Sequence, residues 1–170
     1  EGTTLSAPAF LSAHGSKAMK RPIYPDGYHA INPILRVENA ADALRFFIKA
    51  FGATEDFRRE ADGRLLLAMV KIGDSRVMLF DRTNTPDQVA GGDPRGNGLI
   101  LKLYVADVDT VFDAAIAAGA TETEPVADTY FGERSGMLTD PFGFTWQVAE
   151  FREELPHSVI EQRMHEALKR

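Results

Sequence analysis

Ile34-Leu35-Arg36-Val37, a helical run from Ala40 to Phe51 and Gly52-Ala53-Thr54 are echoed by Leu101-Lys102-Leu103-Tyr104-Val105, a run from Val108 to Ala118 and Gly119-Ala120-Thr121. Duplicated strand-helix-strand units usually pack about a pseudo-twofold axis, and a pocket built from facing strands of both copies lies near it. Function is therefore sought at equivalent strand positions. Each half continues with hairpin material: Arg64 to Ile72, Gly73-Asp74 and Arg76 to Asp81 in the first, then Gly136 to Thr139, Asp140-Pro141-Phe142-Gly143 and Phe144 to Glu150 in the second. The order is βαβββ, twice, which places the chain in the α+β class.

Alternation defines the faces. Strand 1, expected over His29 to Val37, puts Ile31, Pro33, Leu35 and Val37 on one face and Asn32, Ile34 and Arg36 on the other. The next strand of this type puts Leu99, Leu101, Leu103 and Val105 on one side and Ile100, Lys102 and Tyr104 on the other. In the last strand of each half, Arg76, Met78 and Phe80, and Thr145, Gln147 and Ala149, share the parity of the pocket set, while Phe144, Trp146 and Val148 belong to the helix-packed face. Asn39 and Asp107 are suited to cap the two helices. Leu44, Phe47, Ile48 and Phe51 form the first apolar stripe and Val111, Phe112, Ala115 and Ile116 the second, with Gly52 and Gly119 as stops. A third, polar amphipathic helix is expected from Ser158 to Lys169, with Val159, Ile160, Met164 and Leu168 on its apolar side.

The chain has 170 residues, a length at which roughly 70% of the unfolded surface is buried without covalent staples. It has no cysteine, so disulfides, a thiolate nucleophile and Cys-ligated metal are excluded, which fits a reducing cytoplasm. A net charge of −6, with scattered basic residues, argues against a nucleic-acid partner. Glu1 to Lys17 contains no apolar run of signal or membrane-spanning length, so neither export nor a membrane partner is expected. The chain starts with Glu, which points to processing or trimming, with Met19 an alternative start. The expected divisions are an N-terminal extension at 1–27, a domain at 28–151 with modules 28–90 and 96–151, and a C-terminal helical extension at 152–170. Gly91 to Gly98 reads as the linker between modules.

The repeated βαβββ order resembles the vicinal oxygen chelate superfamily of glyoxalase I, bleomycin-resistance proteins, fosfomycin-resistance enzymes and extradiol dioxygenases. Tyr130-Phe131-Gly132-Glu133-Arg134-Ser135-Gly136, followed by Asp140-Pro141-Phe142-Gly143-Phe144-Thr145-Trp146, looks most like its PhnB-like branch. The resemblance covers residues 28 to 151. It implies a curved, barrel-like mixed sheet with helices outside and a divalent metal held by one side chain from the first and last strand of each module. Those four positions fall on Asn32, Met78, Ile100 and Gln147. Met and Ile cannot bind a hard cation and two neutral amides hold one poorly, so no metal cofactor is expected. His29 has the wrong parity, and His14, His157 and His165 lie in terminal segments. No nucleophile elbow, phosphate loop or nucleotide fingerprint replaces the metal, and no catalytic residue is assigned.

The candidate ligand-binding set is Asn32, Arg36, Met78, Phe80, Ile100, Lys102, Tyr104, Tyr130, Arg134 and Gln147, with Ile34, Thr145 and Phe131 alongside. Apolar walls, adaptable Met and a few amides and cations suit a small-molecule site. The expected function is binding of a small aromatic or amphipathic molecule in a metal-free pocket by a homodimer. The alternative is an enzyme of the same superfamily, a lyase, isomerase or dioxygenase-like protein, with a displaced metal or with acid–base groups such as Tyr130, Glu133 and Arg134. Lys102 and Arg36 on equivalent strands would favour a partly aromatic anion, with Lys102→Met weakening binding by roughly 1–3 kcal/mol.

Overall fold

The structure is a computed structural model that describes residue 25, residues 27–82 and residues 98–167. Most of the expected N-terminal extension, residues 83–97 with all of the expected linker at 91–98 but Gly98, and Leu168 lie outside the described residues.

The first module runs β1 (Ile34–Val37), α1 (Ala40–Phe51), β2 (Thr54–Ala61), β3 (Arg64–Ile72) and β4 (Ser75–Asp81). The second runs β5 (Ile100–Tyr104), α2 (Val108–Ala117), β6 (Thr121–Asp128), β7 (Glu133–Thr139) and β8 (Thr145–Phe151), and α3 (His157–Ala167) follows. The strands make two separate four-stranded sheets, in the orders β1-β4-β3-β2 and β5-β8-β7-β6, rather than one closed barrel. In each, the first strand pairs parallel to the last and the remaining pairs are antiparallel. Each βαβ crossover returns the chain with its helix on one face, which defines a helix side and an open side for each sheet.

The helix starts repeat one device. The Asn39 side chain accepts from Ala41 N and Asp42 N, each at 3.1 Å, and the Asp107 side chain accepts from Thr110 N at 3.0 Å. A carboxylate at the end of each module's last strand then meets the next free amide. Asp81 accepts from Ala40 N and Glu150 from Val108 N, both at 3.3 Å. Gly52 ends α1 in the left-handed conformation. The α2 cap is Ala118 in a right-handed conformation, and Gly119 follows at φ 111°.

Three readings of the pattern are corrected. β1 begins at Ile34 and not at His29, because Pro33 has no N–H to donate and Asn32 turns back onto His29; Ile31 is 87% exposed rather than packed on the helix side. On α1, Phe46 is buried and Ile48 lies at the surface, since this helix packs on the other module as well as on its own sheet. On α2, Val108 joins the buried stripe and Ile116 is exposed. α3 keeps Val159, Ile160 and Met164 half-buried and is tied back by an Arg163–Glu153 ion pair at 2.8 Å. No helix among the described residues is long and apolar enough to cross a membrane.

One core serves both modules. The rings of Phe47 and Phe51 lie 5.6 and 4.6 Å from Trp146 of β8, and Phe46 lies 6.1 Å from Phe142. Burial of each such ring contributes roughly 1.5–3 kcal/mol. Trp146 is fixed in turn by the turn before β8: Asp140 accepts from Phe142 N, Phe144 N and the indole Nε1, each at 2.9 Å. Burial pushes the Asp140 carboxyl above its usual range despite these donors. Replacing Asp140 by Ala leaves those buried N–H groups without an acceptor and should cost roughly 2–4 kcal/mol. Chemical denaturation read by Trp146 fluorescence tests this, and an unchanged midpoint would show that the turn stands without its carboxylate.

Candidate functional site

Register decides which side chains share the open side of each sheet. In the first sheet, Ile34, Met78, Met69 and Phe57 form one cross-strand row, and Arg36, Phe80, Leu67 and Arg59 the next. In the second sheet the matching rows are Lys102, Gln147 and Met137, then Tyr104, Ala149 and Ser135, with Ile100, Thr145 and Thr139 on one side and Glu133 on the other. Counting from the two helix caps places Tyr104 opposite Arg36 in the repeat and Lys102 opposite Ile34. The two cations lie on equivalent strands but at different positions along them.

The open sides differ in chemistry. The first is made of thioethers, aliphatic groups and Phe, with Ile34 58% and Phe57 48% exposed. Arg36 is half-buried there without an ion-pair partner among the described residues. The second side is made of hydroxyls, an amide and charge. Gln147 Nε2 donates to Ser135 Oγ at 3.3 Å. Lys102 Nζ donates to Glu133 Oε2 at 2.5 Å, and Tyr104 Oη donates to Glu133 Oε1 at 2.6 Å. The ammonium also lies 4.8 Å from the centre of the Tyr104 ring and 5.5 Å from that of Phe131. Burial disfavours the charged form of Lys102, but the bonds to Glu133 and Tyr104 outweigh it and hold its pKa above the usual value. Lys102 is therefore a cation whose charge is already answered, and the sequence-based argument for an anion at this residue fails. Glu133, named from the sequence only among the acid–base groups, belongs with this face; its strand parity with Ser135 and Met137 is the signal that places it there.

The remaining candidates fall in different places. The Asn32 amide is closed on its own loop, accepting from His29 N at 3.1 Å and donating to His29 O at 2.5 Å. Tyr130 is 39% exposed and packs edge-on against Phe131, with ring centres 5.0 Å apart, at the rim of the second sheet. Arg134 has the opposite parity to Glu133 and is clamped by Asp109 at 2.8 and 2.9 Å, on the helix side. It lines a charged cleft of about 590 Å³ with Arg152, Arg163, Glu153 and Glu133.

Two concavities adjoin those faces. One, of about 350 Å³, is floored by Ile34, Met69 and Met78 and walled by Tyr28, Pro33 and Arg76. Arg76 is itself placed by Asp56 at 2.8 Å and by the Tyr28 ring at 5.0 Å. The other, of about 330 Å³, lies where the free edge of β5 meets residues 29, 31–33 and the β3–β4 turn. Both volumes are at the low end of the range for small-molecule sites, roughly 300–1,000 Å³.

The four positions at which the superfamily resemblance implies metal ligands do not fit that group. Asn32 Oδ1 already accepts from His29 N, Gln147 offers a single neutral amide oxygen, and Met78 and Ile100 carry no hard donor. Protein expressed with supplementary Zn, Ni, Mn or Fe should retain less than a stoichiometric amount of any of them by elemental analysis. Bound metal that is lost when Asn32 and Gln147 are replaced would contradict this.

Residues 28–148 match the family described as Glyoxalase/Bleomycin resistance protein/Dioxygenase superfamily. The chain is 34% identical over 170 residues to an uncharacterized protein of Mycobacterium tuberculosis H37Rv, covering 95% of this chain and 96% of that protein. The crystal structure of TioX from Micromonospora sp. ML1 superposes with a TM-score of 0.58 at 26% identity, covering 71% of this chain and 98% of that one. A PhnB protein from Bacillus cereus, titled a putative 3-demethylubiquinone-9 3-methyltransferase, shares the fold with a TM-score of 0.57 at 20% identity over 72% of this chain and 99% of its own.

Proposed function

The chain belongs to the glyoxalase/bleomycin resistance protein/dioxygenase superfamily, and on that premise we propose that it binds a small aromatic or amphipathic molecule, without a metal, on the open sides of its two sheets. The observation that carries this reading is the uncovered apolar surface on those sides: Ile34, Phe57, Ile100, Tyr104 and Phe151 are each about half exposed or more. A lone soluble domain seldom leaves such residues clustered, and a cluster of this kind marks a ligand or a partner surface. Met69 and Met78 give the first face a floor that adapts to different ring shapes. Residues 28–151, as modules 28–90 and 96–151, form the binding unit in this reading.

A superfamily enzyme working by side-chain acid–base chemistry is the second reading, favoured by the short contact from the Tyr104 phenol to the buried Glu133 carboxylate. Turnover of any bound compound, abolished by Tyr104→Phe, would select it.

The test of binding is a thermal-shift screen on the full chain. Aromatic compounds should raise the melting temperature, and Met78→Glu combined with Ile100→Glu should abolish the response while far-UV circular dichroism stays unchanged. A screen in which only sugars or polycations stabilise the protein would refute the reading.

The same exposed faces, flanked by the free edges of β1 and β5, support a homodimer in which each chain covers the other's open sheet. Sedimentation velocity should give a dimer at micromolar concentration, and Ile34→Asp with Phe57→Asp should shift it to monomer. A monomer over the whole concentration range would remove the dimer from the proposal.

A further inference from the structure

Glu133 is held on the open side of the second sheet by a closed loop. Thr129 N and Oγ1 both donate to the Glu133 carbonyl, at 2.7 and 2.9 Å, and the Thr129 hydroxyl accepts from Glu133 N at 3.0 Å. Arg152 N and Glu153 N fasten the same loop through the Gly132 carbonyl at 3.0 and 3.1 Å. Gly132 has φ 89°, and a Cβ there would collide with the Glu153 carbonyl, so only glycine fits. The Glu133 backbone is thus fixed by its own loop, and the residue is 7% exposed. Each of its two carboxylate oxygens accepts one bond, Oε2 from Lys102 and Oε1 from Tyr104.

The guest, by contrast, meets exposed groups. Tyr104 is 56% exposed and the Lys102 side chain 32% exposed, with the ammonium beside two aromatic rings. An ammonium has more N–H donors than Glu133 and Tyr104 employ. We infer that Glu133 is a specificity-determining residue: by cancelling the charge of Lys102, it makes this face select an uncharged planar aromatic molecule bearing a carbonyl or ether oxygen. The free N–H of Lys102 donates to that oxygen and the ring packs on Tyr104 and Phe131. An anion placed to reach Lys102 comes within a few ångströms of the Glu133 carboxylate, and a cation placed to reach Glu133 meets Lys102, so either charge is repelled at short range in a half-dry site. A neutral acceptor escapes both penalties. This inference rests on the binding reading above and gives it a ligand class.

Near-isosteric probes separate the charge states: 2-acetylnaphthalene, 2-naphthoate and 2-naphthylmethylammonium, titrated calorimetrically into the full chain. The ketone should bind about tenfold tighter than either ion. Glu133→Gln should raise naphthoate affinity about tenfold with little change for the ketone, because Lys102 then faces the guest uncompensated. Lys102→Met combined with Glu133→Gln should restore the preference for the ketone. Should Glu133→Gln fail to fold by circular dichroism, the ranking on the wild-type chain decides. A wild-type ranking led by either ion, or a folded Glu133→Gln protein with no gain for naphthoate, overturns the inference while leaving small-molecule binding intact. Absence of binding by every probe, together with a thermal-shift screen free of aromatic hits, overturns both.

Discussion

The contact of Phe47 and Phe51 with Trp146 is the joint on which the molecule depends. Each module buries one side of its sheet under its own helix, but the rings of α1 extend past their own sheet onto the last strand of the other module. Asp140 sets the indole by taking its N–H, so a polar turn and an apolar joint are one unit. Because the helix sides are consumed in making this joint, only the opposite sides of the sheets remain to meet anything else. A constraint on packing thereby becomes a statement about where function resides.

Duplication preserves what the backbone needs and releases what the open faces carry. The Asx caps at Asn39 and Asp107, joined by the carboxylates of Asp81 and Glu150 from the end of each module's last strand, accept from free first-turn amides in both copies. On the open sides the copies part company: Met78 stands where the repeat has Gln147, Phe80 where it has Ala149, and Leu67 where it has Ser135. One face is dry and adaptable, the other hydroxylic and charge-balanced. A guest touching both would be apolar at one end and a hydrogen-bond acceptor at the other, which describes an amphipathic aromatic compound.

The module order, the strand parity and the helix caps were legible because each is a local consequence of residue type: alternation of period two, Asn or Asp before an apolar helix, Gly after it. The start of β1 was misread because apolar alternation continues through Ile31 and Pro33, although proline cannot join the ladder as a donor. Ile48 was misread for a different reason. An amphipathic stripe tells which arc of a helix is apolar, but a helix buried on two sides takes a wider arc, and the partner that widens it, Phe142, is almost a hundred residues away. Arg134 illustrates the same limit, since its partner Asp109 is 25 positions upstream on another element.

Charge was the least legible property of the site, because a formal charge in a sequence is not a charge available to a ligand. Lys102 and Glu133 are 31 residues apart on β5 and β7, and only their common parity, in strands separated by β8, hints that they meet. Such a pair is a poor stabiliser: the cost of desolvating the Glu133 carboxylate offsets much of its attraction to Lys102. Its position is then better accounted for by what it offers at the surface of the sheet, where the carboxylate is hidden and the ammonium and phenol are exposed. A cation displayed with its charge already balanced gives direction to a hydrogen bond without attracting anions from solution, and that distinguishes recognition by donor geometry from recognition by net charge.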